Sequence, residues 1–308
     1  MANQAFPGSS TSVVTTANAA TFIPELWSDE IIAAYKTNLV MANLVSKMSF
    51  KGKKGDTLHI PKPTRGSAIV KAAATAVTIQ QTANTEVLLV IDKHYEYSRM
   101  IEDITEAQAL SSLRKFYTGD AGYALAKQVD TDLLQLGRDS QGGDGTIAYN
   151  KAVIGGDGST LYTGGNESAI TDAGIRKIIQ TLDDQDVPMD GRVLVLPPVA
   201  RNVMMGLARF TEQAFVGEVG GNNTIRNGEI GNVYGVKVYV STNCEVATGD
   251  ARIGMMFHKD AFVLGEQLGV RSQTQYKQEY LGTLFTSDML YGVKELRDEA
   301  AVAIAMTA

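Results

Sequence analysis

Three histidines and one cysteine are the side chains best suited to chemistry at neutral pH in this chain of 308 residues. His59, His94 and His258 are far apart and share no metal-ligand spacing. Cys244 lies in STNCEV, near a predicted strand end, with no histidine close in sequence. It reads as a buried structural thiol in preference to a nucleophile, and a single cysteine allows no intrachain disulfide. No serine occupies a G-x-S-x-G elbow, and there is no GxxxxGK[ST] phosphate loop. Asp183, Asp184 and Asp186 close a predicted helix and read as a solvated acidic face in preference to a metal site. Gly155-Gly156-Asp157-Gly158 opens GGDGSTLYT, which partly resembles a calcium-binding nonapeptide, but Thr160 stands where that repeat needs an acid. Together with Gly142-Gly143-Asp144-Gly145 and Gly164-Gly165-Asn166 it reads as loops and hairpin turns. These residues make no catalytic constellation. The chain is expected to be no enzyme and to need no cofactor or metal.

Composition bounds the rest. The chain is 44% hydrophobic and 20% charged, enough for one large domain or two small ones. A net charge of −6 gives no electrostatic reason to expect nucleic-acid binding. No uncharged apolar run approaches the ~18 residues of a membrane span. The N-terminus lacks the basic region and apolar core of a signal peptide, so a cytoplasmic protein is expected.

The stretch that must position everything else runs from Ile101 to Gly137 and reads as one long helix. Glu102, Asp103 and Glu106 sit in its first turns, where the helix dipole favours negative charge. Ile104, Ala107, Leu110, Leu113, Tyr117, Ala121, Ala124, Leu125, Val129, Leu133 and Leu136 form one apolar stripe at spacings of three and four. Gly137 supplies a stop, and Gly119 and Gly122 suggest a bend or a close backbone contact. A helix of this length suggests a spine crossing an extended, flat molecule.

Residues 1–24 carry no charged side chain. Alone they bury too little surface to offset ordering entropy, so they read as a disordered tail or as an arm laid along a neighbouring subunit. A helix is predicted from Ile23-Pro24-Glu25-Leu26-Trp27 to about Met41. Between residues 47 and 71, Lys47, Lys51, Lys53, Lys54, Lys62, Arg65 and Lys71 face Asp56 alone, so the remainder of the chain is more acidic than the whole. Thr57 to Ile60 reads as a strand that Pro61 and Pro63 confine to an edge, with Arg65-Gly66 turning it and later strands at Ala76 to Gln80 and Glu86 to Ile91. With Leu58, Ile60, Ile69 and Val70 as the only large apolar residues between Lys51 and Ala76, this hairpin cannot form its own core. A projecting basic hairpin on an acidic body reads as a device for binding the next copy of the same protein, in preference to a solvated loop or a nucleic-acid arm.

From Thr171 the pattern becomes a compact α/β unit. Thr171 to Asp186 is an amphipathic helix, Arg192 to Leu196 a strand buried on both faces, and Pro197-Pro198 opens a helix ending near Leu207. Phe210 to Gly231 is rich in Gly and Asn and reads as a loop. Val233 to Val240 and Arg252 to Phe257 follow as strands, Arg271 to Leu296 carries long strand signals, and Val302, Ile304 and Met306 alternate in a final strand.

In layout, nearly the whole chain resembles the major capsid protein family of tailed bacteriophages. The resemblance is carried by the uncharged arm, the helix at IPELW, the basic hairpin, the spine after YSRMIEDITEAQ, and the ending YGVKELRDEAAVAIAM. Its most specific part is QTLDDQDVPMDGRVLVLPP followed by RNGEIGNVYGVKVYVSTN, a pattern similar to that of short-tailed-phage coat proteins. It implies an α+β major capsid fold: an N-arm (1–24), an N-terminal helix (25–47), an extended hairpin called the E-loop (48–98), a peripheral domain with the spine helix (99–167 and 268–297) and an axial domain with a mixed sheet (168–267 and 298–308). The implied function is self-assembly, as hexamers and pentamers, into an icosahedral shell enclosing double-stranded DNA in the virion, after assembly in the host cytoplasm. Inter-subunit contacts are expected from Lys51, Lys53, Lys54, Arg65 and Lys71 of the E-loop and from Phe6, Val13, Val14 and Phe22 of the N-arm.

The implied partners are other copies of the chain, a separate scaffolding protein, a portal and a decoration or cement protein. DNA is enclosed without sequence-specific binding, and no membrane partner is implied. Lys53, Lys54 and Lys62 lie where some relatives form Lys–Asn cross-links, but no matching glutamate and asparagine can be assigned, so no cross-link is expected. The acidic balance suits a wall that does not hold DNA by counterion release. The alternatives are an encapsulin-like compartment, which shares the fold but encloses enzymes, and a calcium-binding surface protein.

Overall fold

The computed structural model describes residues 40–52, 54–63, 66–80, 84–108, 113–137, 152–207, 231–244, 246–247 and 250–307. The arm residues Phe6, Val13, Val14 and Phe22, the helix predicted from Ile23, and Lys53, Arg65 and most of the 210–231 loop lie outside the described residues. Within the span expected to be helical up to residue 47, α1 is short (Met41–Leu44) and β1 (Ser46–Ser49) already follows it.

A four-stranded sheet has the order β1-β10-β11-β4, with β4 at Lys93–Glu102, β10 at Phe262–Lys277 and β11 at Gly282–Glu295. β10 and β11 form a long antiparallel ribbon from Phe262↔Glu295 to Lys277↔Gly282, and β4 runs antiparallel along the other edge of β11. The spine helix lies on one face of this sheet. It begins later than its sequence suggests. Ile101 is buried and pairs with Thr283, so Ile101 and Glu102 end β4. A short α2 (Asp103–Gln108) follows, and the continuous helix is α3 (Leu113–Gly137), about 37 Å long. Ile104, expected on the apolar stripe, is exposed, whereas Ala121 is buried, and Leu125, Val129 and Leu133 are buried against Phe262, Leu264, Met289 and Tyr291. A Cβ at Gly119 or Gly122 would meet nothing, so close contact is not why glycine stands there. At Gly137 a Cβ would collide with the end of the Met255 side chain.

A six-stranded mixed sheet has the order β5-β12-β9-β6-β8-β7: β5 is Val153–Ile154, β6 Arg192–Leu196, β7 Asn232–Val233, β8 Val236–Val240, β9 Arg252–His258 and β12 Ala301–Met306. Every residue of β6 and β12 is buried, as expected for strands covered on both faces. β5 pairs in parallel with β12, so the stretch around Val153, expected in the peripheral unit, belongs to this sheet. Tyr234 and Gly235 both have positive φ and join β7 to β8, the geometry of a tight hairpin turn.

On one face lie α4 (Asp172–Asp184) and α5 (Pro198–Met205). Thr171 caps α4 by accepting from the Gly174 N–H, and Ile175, Ile178 and Leu182 pack on Val302, Ile304 and Met306. Asp183 is more than a solvated acid: it pairs at 2.6 Å with the guanidinium of Arg192, whose side chain is buried and also donates to the carbonyls of Val187 and Pro188. Removing either partner would strand the other beside a core.

Candidate assembly interface

The hairpin expected between residues 48 and 98 is a separate two-stranded sheet, β2 (Thr57–Pro63) and β3 (Asn84–Val90), in register from Thr57↔Val90 to Pro63↔Asn84. Among the described residues each strand keeps one edge unpaired, and Pro61 and Pro63, which have no N–H to donate, sit in β2 where no third strand asks for one. Its root is fixed by backbone and packing. Leu89 and Ile91 are buried, and the Ile91 N–H donates to the Asp56 carbonyl at 2.8 Å. The Phe50 N–H donates to Glu266 O at 2.7 Å, and Gln267 Nε2 to Gly55 O at 2.8 Å. Gly292 lets β11 press directly against the Val90 carbonyl, where a Cβ would overlap it.

Beyond β2 and β3 the chain changes character. Residues 66–80 are exposed throughout and form no strand, so the strand expected at Ala76 to Gln80 is absent. The reason is lack of a partner: the two limbs are clasped by a side chain, with Ser67 N–H donating to Gln80 Oε1 at 3.1 Å and Gln80 Nε2 donating to the Ser67 carbonyl. At the turn Ala74 has φ +64° and Thr75 Oγ1 donates to Ala72 O. Val70 is 97% exposed, Ile79 87%, Val77 70% and Ile69 52%. Four large aliphatic side chains are thus exposed together on one extension. The sequence placed Val77 and Ile79 in a strand. Their exposure follows from the lack of a pairing strand among the described residues.

The basic residues divide. Lys51 approaches Glu266 at 3.8 Å and Lys62 approaches Glu299 at 3.9 Å, both on exposed surface, where such pairs contribute little. Lys54 and Lys71 have no ion-pair partner among the described residues. An open cleft of about 450 Å³ separates the hairpin from the body, lined by Lys62, Glu86, Leu88, Lys294, Leu296 and Asp298.

The chemistry-capable residues are dispersed. His59 faces Glu86 across the hairpin at 2.9 Å, His94 faces Asp288 at 3.0 Å, and His258 accepts from the Asp260 N–H. Asp288 also takes both nitrogens of a fork from Arg271, at 2.7 and 2.9 Å, and that pairing chiefly holds its carboxyl below the ordinary range. Burial pushes the Cys244 thiol up to about 12, so it is no thiolate at neutral pH. Asp157 closes its own loop, accepting from the N–H groups of Ser159 and Thr160 and from the Thr160 hydroxyl, and its carboxyl falls to about 2. Among the described residues no group of three or more His, Cys, Asp or Glu could hold a metal ion. Among them, too, no helix is long and apolar enough to cross a membrane.

A spine helix on a long β-ribbon, a six-stranded unit carrying two helices, and an extended hairpin with an exposed apolar end are therefore one architecture. The sequence pattern of the phage capsid protein family matches residues 95–304. The chain belongs to that family. Its structure superposes on that of a protein of Mycobacterium phage Che8 with a TM-score of 0.74 and 25% identity, covering 92% of this chain and 97% of that one. The capsid structure of cyanophage P-SCSP1u gives a TM-score of 0.77 at 17% identity over 98% and 99%. The mature capsid of bacteriophage PhiM1 gives 0.69 at 13% over 92% of each. None of the curated proteins matches the chain by sequence. The chain is thus a structural major capsid protein of the tailed-phage type, a component of the virion capsid, with the α+β fold that its sequence resembles.

Proposed function

We propose that this capsid protein assembles as hexamers and pentamers into the icosahedral head shell and encloses phage double-stranded DNA, without sequence-specific contact to it. The carrying observation is the run of exposed Ile69, Val70, Val77 and Ile79 on an extension that makes no core of its own. In this reading residues 48–98 are the E-loop and lie on a neighbouring copy. Lys51, Lys54 and Lys71, with Lys53 and Arg65, face that copy's acidic surface. Phe6, Val13, Val14 and Phe22 of residues 1–24 form apolar contacts with a neighbour. The peripheral domain is the four-stranded sheet with α3, and the axial domain is the six-stranded sheet with α4 and α5. Single contacts are weak, and closure over many copies makes the shell stable. A scaffolding protein, a portal and a decoration protein are the expected partners, assembly occurs in the host cytoplasm, and the protein catalyses nothing.

Negative-stain electron microscopy of the purified chain, alone and co-expressed with its scaffolding protein, tests this. Closed or aberrant shells, sheets or capsomer rings are expected. Monomer under both conditions would overturn the assembly reading. Shells that enclose enzymes in place of DNA would favour an encapsulin-like compartment.

A further inference from the structure

The spine helix contains two buried carboxylates that packing alone does not call for. Asp130 is 1% exposed and Asp132 is 5% exposed. Asp130 Oδ1 accepts from the backbone N–H groups of Val40 at 3.0 Å and Met41 at 2.8 Å, at the start of α1. Its Oδ2 accepts from Asn243 Nδ2 at 2.9 Å, on the turn that leaves β8. Asp132 Oδ2 accepts from the Tyr291 hydroxyl at 2.8 Å and pairs with Lys93 Nζ at 3.0 Å, while its Oδ1 accepts from Gln128 at 2.9 Å. Tyr291 stands in β11. Lys93 is the first residue of β4, where the chain returns from the extended hairpin.

The partners of one helix turn thus come from α1, the six-stranded sheet, the long ribbon and the hairpin root. A carboxylate withdrawn from water is tolerated only when its oxygens are occupied by donors, so a leucine here would be the simpler way to fill the space. What a leucine cannot supply is direction. Hydrogen bonds weaken steeply off axis, whereas apolar contact tolerates rotation.

We propose that Asp130 and Asp132 are positioning residues. Asp130 fixes the orientation of α1 against the six-stranded sheet, and Asp132 fixes the angle at which the extended hairpin leaves the body. Together they set the curvature with which subunits close. This rests on the assembly reading above. The leverage is geometric: β2 and β3 carry the apolar end roughly 20 Å beyond the root, so a rotation of about 5° there displaces it by about 2 Å. That is enough to misplace an inter-subunit contact without unfolding anything.

The test reads orientation directly. Spin labels at Thr78→Cys and Gln180→Cys, in a Cys244→Ser background, report the distance from hairpin to α4 by electron–electron resonance in the unassembled subunit. Tyr291→Phe and Lys93→Met each remove one partner of Asp132 and leave the others, so the subunit stays folded. The distance distribution is expected to widen about twofold in both, with secondary structure unchanged. In assembly reactions these variants and Asn243→Ala are expected to give fewer closed shells and a broader range of diameters. A distribution as narrow as that of the unsubstituted chain overturns the proposal, and so do widened distances with shells of unchanged diameter. If the unsubstituted chain stays monomeric both alone and with its scaffolding protein, the assembly reading fails, and the label distances still decide whether Asp132 orients the hairpin.

Discussion

In β6 and β12 every residue is buried, whereas every residue of 66–80 is exposed, although both regions are rich in aliphatic residues. The difference is completion. β6 has β8 on one side and β9 on the other, with α4 and α5 covering the sheet. Among the described residues the hairpin has two strands, two open edges and no covering layer beyond its root at Leu89 and Ile91. Apolar surface gains its stabilisation only when removed from water. One region finds that removal within the chain, and in the function proposed above the other finds it on a neighbouring copy.

Substitutions should therefore lose their effect on subunit stability, and gain effect on assembly, as they move from the first region to the second. The largest loss is expected for Leu194→Ala, which empties a fully buried site in β6 and should cost about 2–5 kcal/mol in denaturant unfolding. Gly292→Ala comes next. Its Cβ would overlap the Val90 carbonyl, and about 1–3 kcal/mol is expected, with faster hydrogen exchange at Leu89 and Ile91. Asp157 gives a smaller, pH-dependent effect. Its folded pKa of about 2 lies below the ordinary value of about 3.9, so its contribution is complete above that value and is lost as pH falls towards 2. Asp157→Asn should remove that part of the acid dependence of the melting temperature and leave the neutral range little changed. The smallest effect on the subunit is expected when Ile69, Val70, Val77 and Ile79 are all changed to serine: an unchanged melting temperature, with shells lost in electron microscopy. A lowered melting temperature there would mean that the extension packs on its own body, and the contrast between the two regions would fail.

The completed region was also the legible one. Thr171 before an apolar stripe, Pro198 at a helix start and the unbroken apolar run of β6 are local signals, and α4, α5 and β6 appear where those signals stand. The resemblance to tailed-phage coat proteins rested largely on the same stretch. Where sequence and structure part, a distant partner decides. Ile101 leaves the predicted helix because Thr283 pairs with it, and Val153 joins β12 from the far end of the chain. Asp183 is claimed by Arg192. Asp130 and Asp132 stand out in no way, because acids at that spacing on a helix ordinarily face water and their donors from other elements lie 39 to 159 residues away. The apolar end of the hairpin was legible only in part, as a segment too poor in apolar residues to hold itself.

Hydrogen exchange followed by mass spectrometry, comparing the free subunit with the assembled shell, tests the central claim most directly. Amides between residues 66 and 80 are expected to exchange freely in the subunit and at least about tenfold more slowly in the shell, while those of β6 and β12 are slow in both. Equal exchange of residues 66–80 in the two states would contradict the account, because the extension would then remain uncovered in the shell.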